Sequence, residues 1–190
     1  MRLALFGGTF DPIHSAHIAV ARAAADHFAL DRVLLIPNAI PPHKQRQTGA
    51  SYEHRFAMVA AAVEGDPRLE ASNLERGNET SYSILTIERV RAAWPSAELF
   101  FLIGADAFSE IETWRRWRDV SAQVEFIVLS RPGYDYDIPA GATAHRLDTL
   151  QIDVSSTAIR RALTAGEMPD ALLEPVERYI RAHGLYRASG

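Results

Sequence analysis

Directly after the apolar run Leu3 to Phe6, the chain reads Gly7-Gly8-Thr9-Phe10-Asp11-Pro12-Ile13-His14-Ser15-Ala16-His17. A glycine pair lets backbone N–H groups come close to an anion. His14 and His17 are three residues apart, which on a helix puts both imidazoles on one face. They fall in the first turn of the pattern Ile18, Ala21, Ala25 and Phe28, where free N–H groups and the helix dipole favour negative charge. Two imidazoles beside a helix N-terminus make a cradle for a phosphoryl group. The plainer reading is a strand–turn–helix with two surface histidines. A metal reading has less behind it, since three-residue spacing is less usual for zinc on a helix than four and no clear third ligand is near. The segment is also not G-x-G-x-x-G, which counts against an NAD-dependent oxidoreductase.

A second stretch, Val154-Ser155-Ser156-Thr157-Ala158-Ile159-Arg160, reads as an N-capped helix. The same hydroxyls and N–H groups can face an anion, and Arg160 lies one turn further on, within reach of the same ligand. A simple cap with a surface arginine is the plainer account of this stretch taken alone.

The elements that must position these residues alternate between short apolar runs and amphipathic helices. Val33 to Ile36 reads as a second strand, stopped by Pro37, and a loop rich in Pro, His, Lys and Gln runs from about Asn38 to Gly49. Ser51 or Tyr52 opens a helix that ends near Gly65. Leu69 to Leu74 reads as a third strand, and Ser81 as the cap of a helix that breaks at Trp94-Pro95. Leu99 to Ile103 and Val124 to Leu129 read as further strands, and residues 134–144 as loop. A short strand around Ile152 to Val154 leads to a helix from Ser155 or Ser156 to about Ala165, with Gly166 as its C-terminal cap, and Pro175 to His183 makes the last helix. The pattern predicts an α/β fold, a Rossmann-like parallel sheet with helices on both faces. Ligands of such sheets sit beyond the carboxyl ends of the strands, where Gly7-Gly8, Gly104 and Arg131 are expected. With no repeat or linker in its 190 residues, the chain reads as one domain, 1–190.

Apolar residues make up 47% and charged residues 23%, the balance of a soluble globular protein. A net charge of −4 argues against a nucleic-acid partner held by a basic surface. The chain has no cysteine, so disulfides, thiolate catalysis and cysteine-held metals fall away. No apolar run reaches membrane-spanning length, and Met1 to Phe6 leaves no room for a signal peptide, so the expected setting is the cytoplasm without a membrane partner. A homo-oligomer stays open.

The first stretch resembles the G-G-T/S-F-D-P-x-H-x-G-H signature of the nucleotidyltransferases with the H/T-x-G-H motif, whose fold is Rossmann-like. Ala16 stands where that family usually has glycine, which implies tighter packing against adenine or ribose, not loss of activity. The second stretch resembles the family's I-S-S-T-x-I-R motif, with Val154 in place of isoleucine. The resemblance implies that Gly7, Gly8, Thr9, Phe10, His14, His17, Gly104 and Asp106 bind ATP, with His17 nearest the α-phosphate and both histidines catalytic. It implies that Ser155, Ser156, Thr157 and Arg160 hold the β- and γ-phosphates, and that both stretches fold into one anion pocket. Mg²⁺ is implied as cofactor, held mainly by substrate phosphates and water and not by a protein metal site.

Four further features are similar to bacterial nicotinate-nucleotide adenylyltransferases. Pro37-Asn38 with Pro41-Pro42-His43-Lys44 reads as a stiff loop or as a lid that carries Lys44, with His43, to phosphate. Ser81-Tyr82-Ser83-Ile84-Leu85-Thr86 looks like that family's S-Y-T/S-I-D-T, with Leu85 replacing the aspartate, and its helix start suits a pyridine carboxylate. In Gly104-Ala105-Asp106-Ala107-Phe108, Gly104 permits a ligand against the strand end, and Asp106 can bind a ribose hydroxyl or support a magnesium water. In Trp114-Arg115-Arg116-Trp117, either tryptophan could stack on a pyridine ring, with ordinary packing the plainer reading for Trp117. Ser130-Arg131-Pro132-Gly133-Tyr134 looks like the R-P-G-Y/F loop, where Arg131 faces an anionic substrate or shapes the loop. The resemblance implies AMP transfer from ATP to nicotinate mononucleotide, with Lys44, Ser81, Tyr82, Thr86, Trp114 and Arg131 on the acceptor. Nicotinamide mononucleotide, phosphopantetheine and a non-catalytic nucleotide-binding module are the rival readings.

Overall fold

The structure, a computed structural model, describes residues 1–39, 48–77, 80–130, 133, 135–148 and 154–187. Among the described residues six strands form one sheet: β1 (Arg2–Gly8), β2 (Arg32–Pro37), β3 (Leu69–Ala71), β4 (Glu98–Gly104), β5 (Glu125–Ser130) and β6 (Ala144–Asp148). Their order is β3-β2-β1-β4-β5-β6, and every neighbouring pair is parallel. The helices are α1 (Ser15–His27), α2 (Tyr52–Val63), α3 (Ser83–Ala93), α4 (Ala105–Ser109), α5 (Trp117–Ser121), α6 (Ser156–Thr164) and α7 (Glu174–His183), with a 3₁₀ turn at Ile111–Thr113.

Strand side chains alternate between two faces. Ala4, Phe6, Val33, Leu35, Phe100 and Leu102 pack with residues of α1, α2, α6 and α7. Leu3, Leu5, Leu34, Ile36, Leu99 and Phe101 pack with α3, α4 and α5. Both faces are covered, which explains the continuous apolar runs. The chain winds outward from β1 through β2 to β3, then returns to lay β4 beside β1 with Phe6 in register with Leu102. The switch point lies between the carboxyl ends of β1 and β4, so Gly7, Gly8 and Gly104 meet there.

Several expectations need correction. β6 starts where the loop reading of 134–144 ends; it is an edge strand with one buried residue, Leu147, so it lacks the apolar run that marks the inner strands. β3 stops at Ala71, three residues short of the expected end. Ser81 does not cap α3: Tyr82 is the N-cap and its side chain makes no cap bond. Residues 152 and 153 of the expected short strand lie outside the described residues. The short elements between β4 and β5 are too brief to show a period. The other helix ends are as expected: Ser51 caps α2, and Gly166, at φ +82°, follows α6 with the Glu167 N–H donating to the Ala162 carbonyl.

Candidate active site

Beyond β1 the chain turns inward at Phe10, whose backbone is left-handed (φ 46°) and whose ring is buried. The ring stands edge-on to Phe6 at 5.6 Å and to His17 at 5.0 Å. A Cβ on Gly8 would meet it at 2.9 Å, so Gly8 is glycine to admit Phe10. Phe10 therefore packs its ring beneath this turn, and at 2% exposure little of its side chain is left for the expected ATP contact. After the cis Asp11-Pro12 peptide, His14 forms the N-cap of α1 in an extended conformation. Its N–H donates to His17 Nδ1 at 3.3 Å, and the two ring centroids lie 3.8 Å apart with the planes tilted by 32°. With Nδ1 accepting, neutral His17 carries its proton on Nε2. Burial lowers His14 to about 4; burial, with the neighbouring His14, lowers His17 to about 3. Near pH 7 without ligand, both are neutral donors. Ala16 is half-buried within the same first turn.

The start of α6 is laid against this turn. Ser156 Oγ donates to the Pro12 carbonyl at 3.0 Å, and Arg160 Nη1 to the Asp11 carbonyl at 2.6 Å. Arg160 Nη2 also donates to Thr157 Oγ1 at 3.3 Å. The two stretches thus meet, across 144 and 149 residues of sequence, at the Pro12 and Asp11 carbonyls. The serines are used differently from the expectation. Ser155 Oγ accepts the Ala158 N–H at 3.2 Å as the α6 cap, and the Ser156 proton is spent on Pro12. What this helix end keeps for an anion is its first N–H groups, Thr157 and the one-third-exposed Arg160. Thr157, Arg160, Arg161 and Thr164 line a hollow of about 300 Å³.

Asp11 is the knot that holds this corner. Its buried carboxylate accepts the N–H of Gly49 at 2.7 Å, the N–H of Ala50 at 3.1 Å and the Tyr186 hydroxyl at 2.7 Å, with Arg160 Nη1 3.8 Å away. A side chain at Gly49 would run into Tyr186 and Arg160 at 2.9 and 3.0 Å. Burial and the Asp11 charge push the Tyr186 hydroxyl up, so it stays a donor.

Across the switch point opens a cleft of about 750 Å³, into which Gly7, Gly8, Thr9, Asn38, Gly104 and Trp114 all face. A Cβ on Gly104 would meet nothing within 4 Å, so the strand end is open to a ligand. Trp114 stands edge-on to Phe101 at 5.8 Å in the cleft wall. Ser81, Tyr82, Ser83 and Thr86 line the opposite side. The first helical bonds of α3 run from the Leu85 and Thr86 N–H groups to the Tyr82 carbonyl, so those of Ser83 and Ile84 have no helical acceptor. The Arg115 guanidinium lies 4.8 Å over the Tyr82 ring at the cleft edge. Trp117 is on α5 beneath Arg118, apart from the cleft lining, so the plainer reading of it holds. Asp106 is exposed on the first turn of α4, also outside that lining. Lys44, His43 and Arg131 lie outside the described residues.

Sequence reasoning missed Arg55, Glu75 and Tyr186. Arg55 had a signal: it is a charged residue one turn before Met58 and Val59 on the core-facing side of α2. Glu75 and Tyr186 sit in irregular segments with no period to betray burial. Among the described residues, no group of three or more His, Asp or Glu converges on a cation site, and the Asp11 oxygens are already filled by donors.

Comparison with known proteins gives this arrangement its context. Residues 5–162 match the cytidylyltransferase-like family. The chain is 56% identical over 187 residues to a "Probable nicotinate-nucleotide adenylyltransferase" of Solibacter usitatus, covering 98% of this chain and all of that protein. It is 40% identical over 193 residues to a protein of the same name from Bacillus pumilus, covering 98% and 99%. Among solved structures, the Plasmodium falciparum nicotinic acid mononucleotide adenylyltransferase complexed with NaAD superposes with a TM-score of 0.81. That match is 18% identical and covers 97% of each chain, a likeness of fold.

Proposed function

Since the chain belongs to the cytidylyltransferase-like family and, within it, to the nicotinate-nucleotide adenylyltransferases, we infer that it is an enzyme that transfers AMP from ATP to nicotinate mononucleotide. The products are nicotinic acid adenine dinucleotide and pyrophosphate, a step of NAD biosynthesis. A 5′-phosphate oxygen of the acceptor forms the new bond to the α-phosphorus in line with the bond that breaks. The electron pair of that bond leaves with pyrophosphate. The attacking oxygen is already ionised at neutral pH, so no strong base is required and catalysis rests on positioning and charge stabilisation.

The observation that carries the reading is the junction of the two phosphate stretches, through Arg160 to the Asp11 carbonyl and Ser156 to the Pro12 carbonyl. In this reading His17 donates its Nε2 proton to an α-phosphate oxygen, with His14 packed against it. The N–H groups that open α6, with Thr157 and Arg160, hold the leaving pyrophosphate. The 750 Å³ cleft takes the acceptor, with Trp114 against the pyridine ring and the open N–H groups of α3 toward its carboxylate. Mg²⁺ would supply charge neutralisation at the phosphates when bound, brought by the substrate and water and not by a protein site. Asp106, exposed next to Gly104, is the side chain offered to a ribose hydroxyl or to a magnesium-bound water. The setting is the cytoplasm, with small molecules as partners; among the described residues no helix is long and apolar enough to cross a membrane.

The test is pyrophosphate release from ATP and Mg²⁺ with each acceptor in turn: nicotinate mononucleotide, nicotinamide mononucleotide and phosphopantetheine. The reading expects release with the first at a kcat/KM at least tenfold above the others. A preference for either rival, or release with none, overturns it.

A further inference from the structure

Arg55 and Glu75 are two opposite charges taken almost wholly out of water, at 1% and 4% exposure, with Glu75 in the wall of the cleft. Burying such charges is costly, and well-packed apolar residues of similar volume often do as well or better for stability. Their bonds converge on the backbone of one residue. Glu75 Oε2 accepts the Ala39 N–H at 3.2 Å, and Arg55 Nη2 donates to the Ala39 carbonyl at 3.3 Å. Ala39 is therefore gripped by an anion at its donor and a cation at its acceptor. The other arm of each charge reaches a substrate-facing element. Arg55 Nη1 donates to the Thr9 carbonyl at 2.7 Å in the phosphate turn, while Glu75 Oε1 accepts the Thr86 hydroxyl at 2.7 Å in the acceptor wall.

We propose that Arg55 and Glu75 are positioning residues for the acceptor, clamping the backbone on both sides of Ala39 so that Asn38 and Thr86 are set in the cleft at a fixed distance from the phosphate turn. This rests on the transfer reading above. Asn38 and Thr86 both line the cleft, and Asn38 Oδ1 comes within 3.6 Å of where a Cβ on Gly7 would stand. The clamp has a chemical consequence at Thr86. Its one hydroxyl proton is committed to Glu75, so the oxygen keeps lone pairs only. An acceptor carboxylate then has to take its hydrogen bonds from the N–H groups that open α3, which directs it to the helix end and away from Thr86 Oγ1.

The variants are Glu75→Gln, which keeps the shape but cannot accept both bonds through its amide, and Arg55→Lys, which keeps the charge but cannot fork between two carbonyls. Each is assayed as full-length chain with Mg-ATP and nicotinate mononucleotide, with kcat, both KM values and the thermal midpoint read separately. The expected result is a rise of about tenfold in the KM for the mononucleotide, with the KM for ATP within twofold of wild type and the midpoint within a few degrees. Acceptor and ATP KM values that move together, or an acceptor KM within twofold of wild type in a folded variant, overturn the proposal. So does failure of both variants to fold, which would make the pair structural alone. A wild-type chain inactive with nicotinate mononucleotide fails the functional reading instead, so the two failures are told apart.

Discussion

His14 and His17 show how burial sets the chemistry of a residue before any ligand arrives. Both imidazoles are held well below their ordinary range, at about 4 and about 3, because the charged form loses its water. Both folded-state values lie below the unfolded value of about 6.5. Between pH 6.5 and 4 the unfolded chain therefore binds more protons, and stability falls as pH falls through that window. Thermal midpoints across pH 7 to 4 should drop, with a shallower slope in His17→Ala; equal slopes would mean His17 is not buried neutral. The same variant should lower kcat by roughly 10²–10³-fold, by analogy with losing one donor to the transition-state oxyanion. Turnover near wild type, measured as pyrophosphate release, would remove His17 from the reaction. Arg160→Ala should raise the KM for ATP, and an unchanged ATP KM and kcat would count against its role. Its bond to the Asp11 carbonyl predicts a lower thermal midpoint as well, which sequence alone did not suggest.

The start of α6 is the element where ligand binding and capping compete for the same groups. Ser155 spends its oxygen on the Ala158 N–H and Ser156 its proton on Pro12. Ser155→Ala should therefore cost about 1 kcal/mol of stability, read from urea midpoints, and leave the KM for ATP within about threefold. A large loss of ATP affinity with an unchanged midpoint would restore the hydroxyl to the phosphate site. The motif was legible as an anion-binding helix start because Ser-Ser-Thr serves capping and phosphate equally. Which of the two each hydroxyl performs depends on Pro12 lying opposite, a long-range fact. Phe10 makes the same point: nothing local distinguishes a ligand contact from a ring folded into the core beside Gly8.

At the scale of the molecule, one buried carboxylate ties four distant segments together. Asp11 accepts bonds from residues 49, 50 and 186 and stands beside Arg160, so the turn after β1, the end of the loop after β2, α6 and the chain after α7 share one anchor. Tyr186→Phe leaves that carboxylate one donor short and should destabilise by about 1–3 kcal/mol in chemical unfolding. It should also lower kcat, because the phosphate turn loses its support; a variant as stable and active as wild type would show that the tail is not part of the anchor. Parallel strands bring every strand's carboxyl end to one side, so residues from along the whole chain can share this corner.

By itself the sequence determined most of the strands, most of the helices and the two candidate anion-binding stretches, because apolar period, caps and short motifs are local properties that a chain carries wherever it folds. It could not determine β6, whose edge position removes the apolar run, or the burial of Arg55 and Glu75 beside Ala39 and the packing of the half-buried Tyr186 on Asp11. Those depend on which segments the sheet order brings face to face. A buried charge is tolerable only beside partners supplied from elsewhere in the chain, so only the tertiary structure decided where such charges could stand.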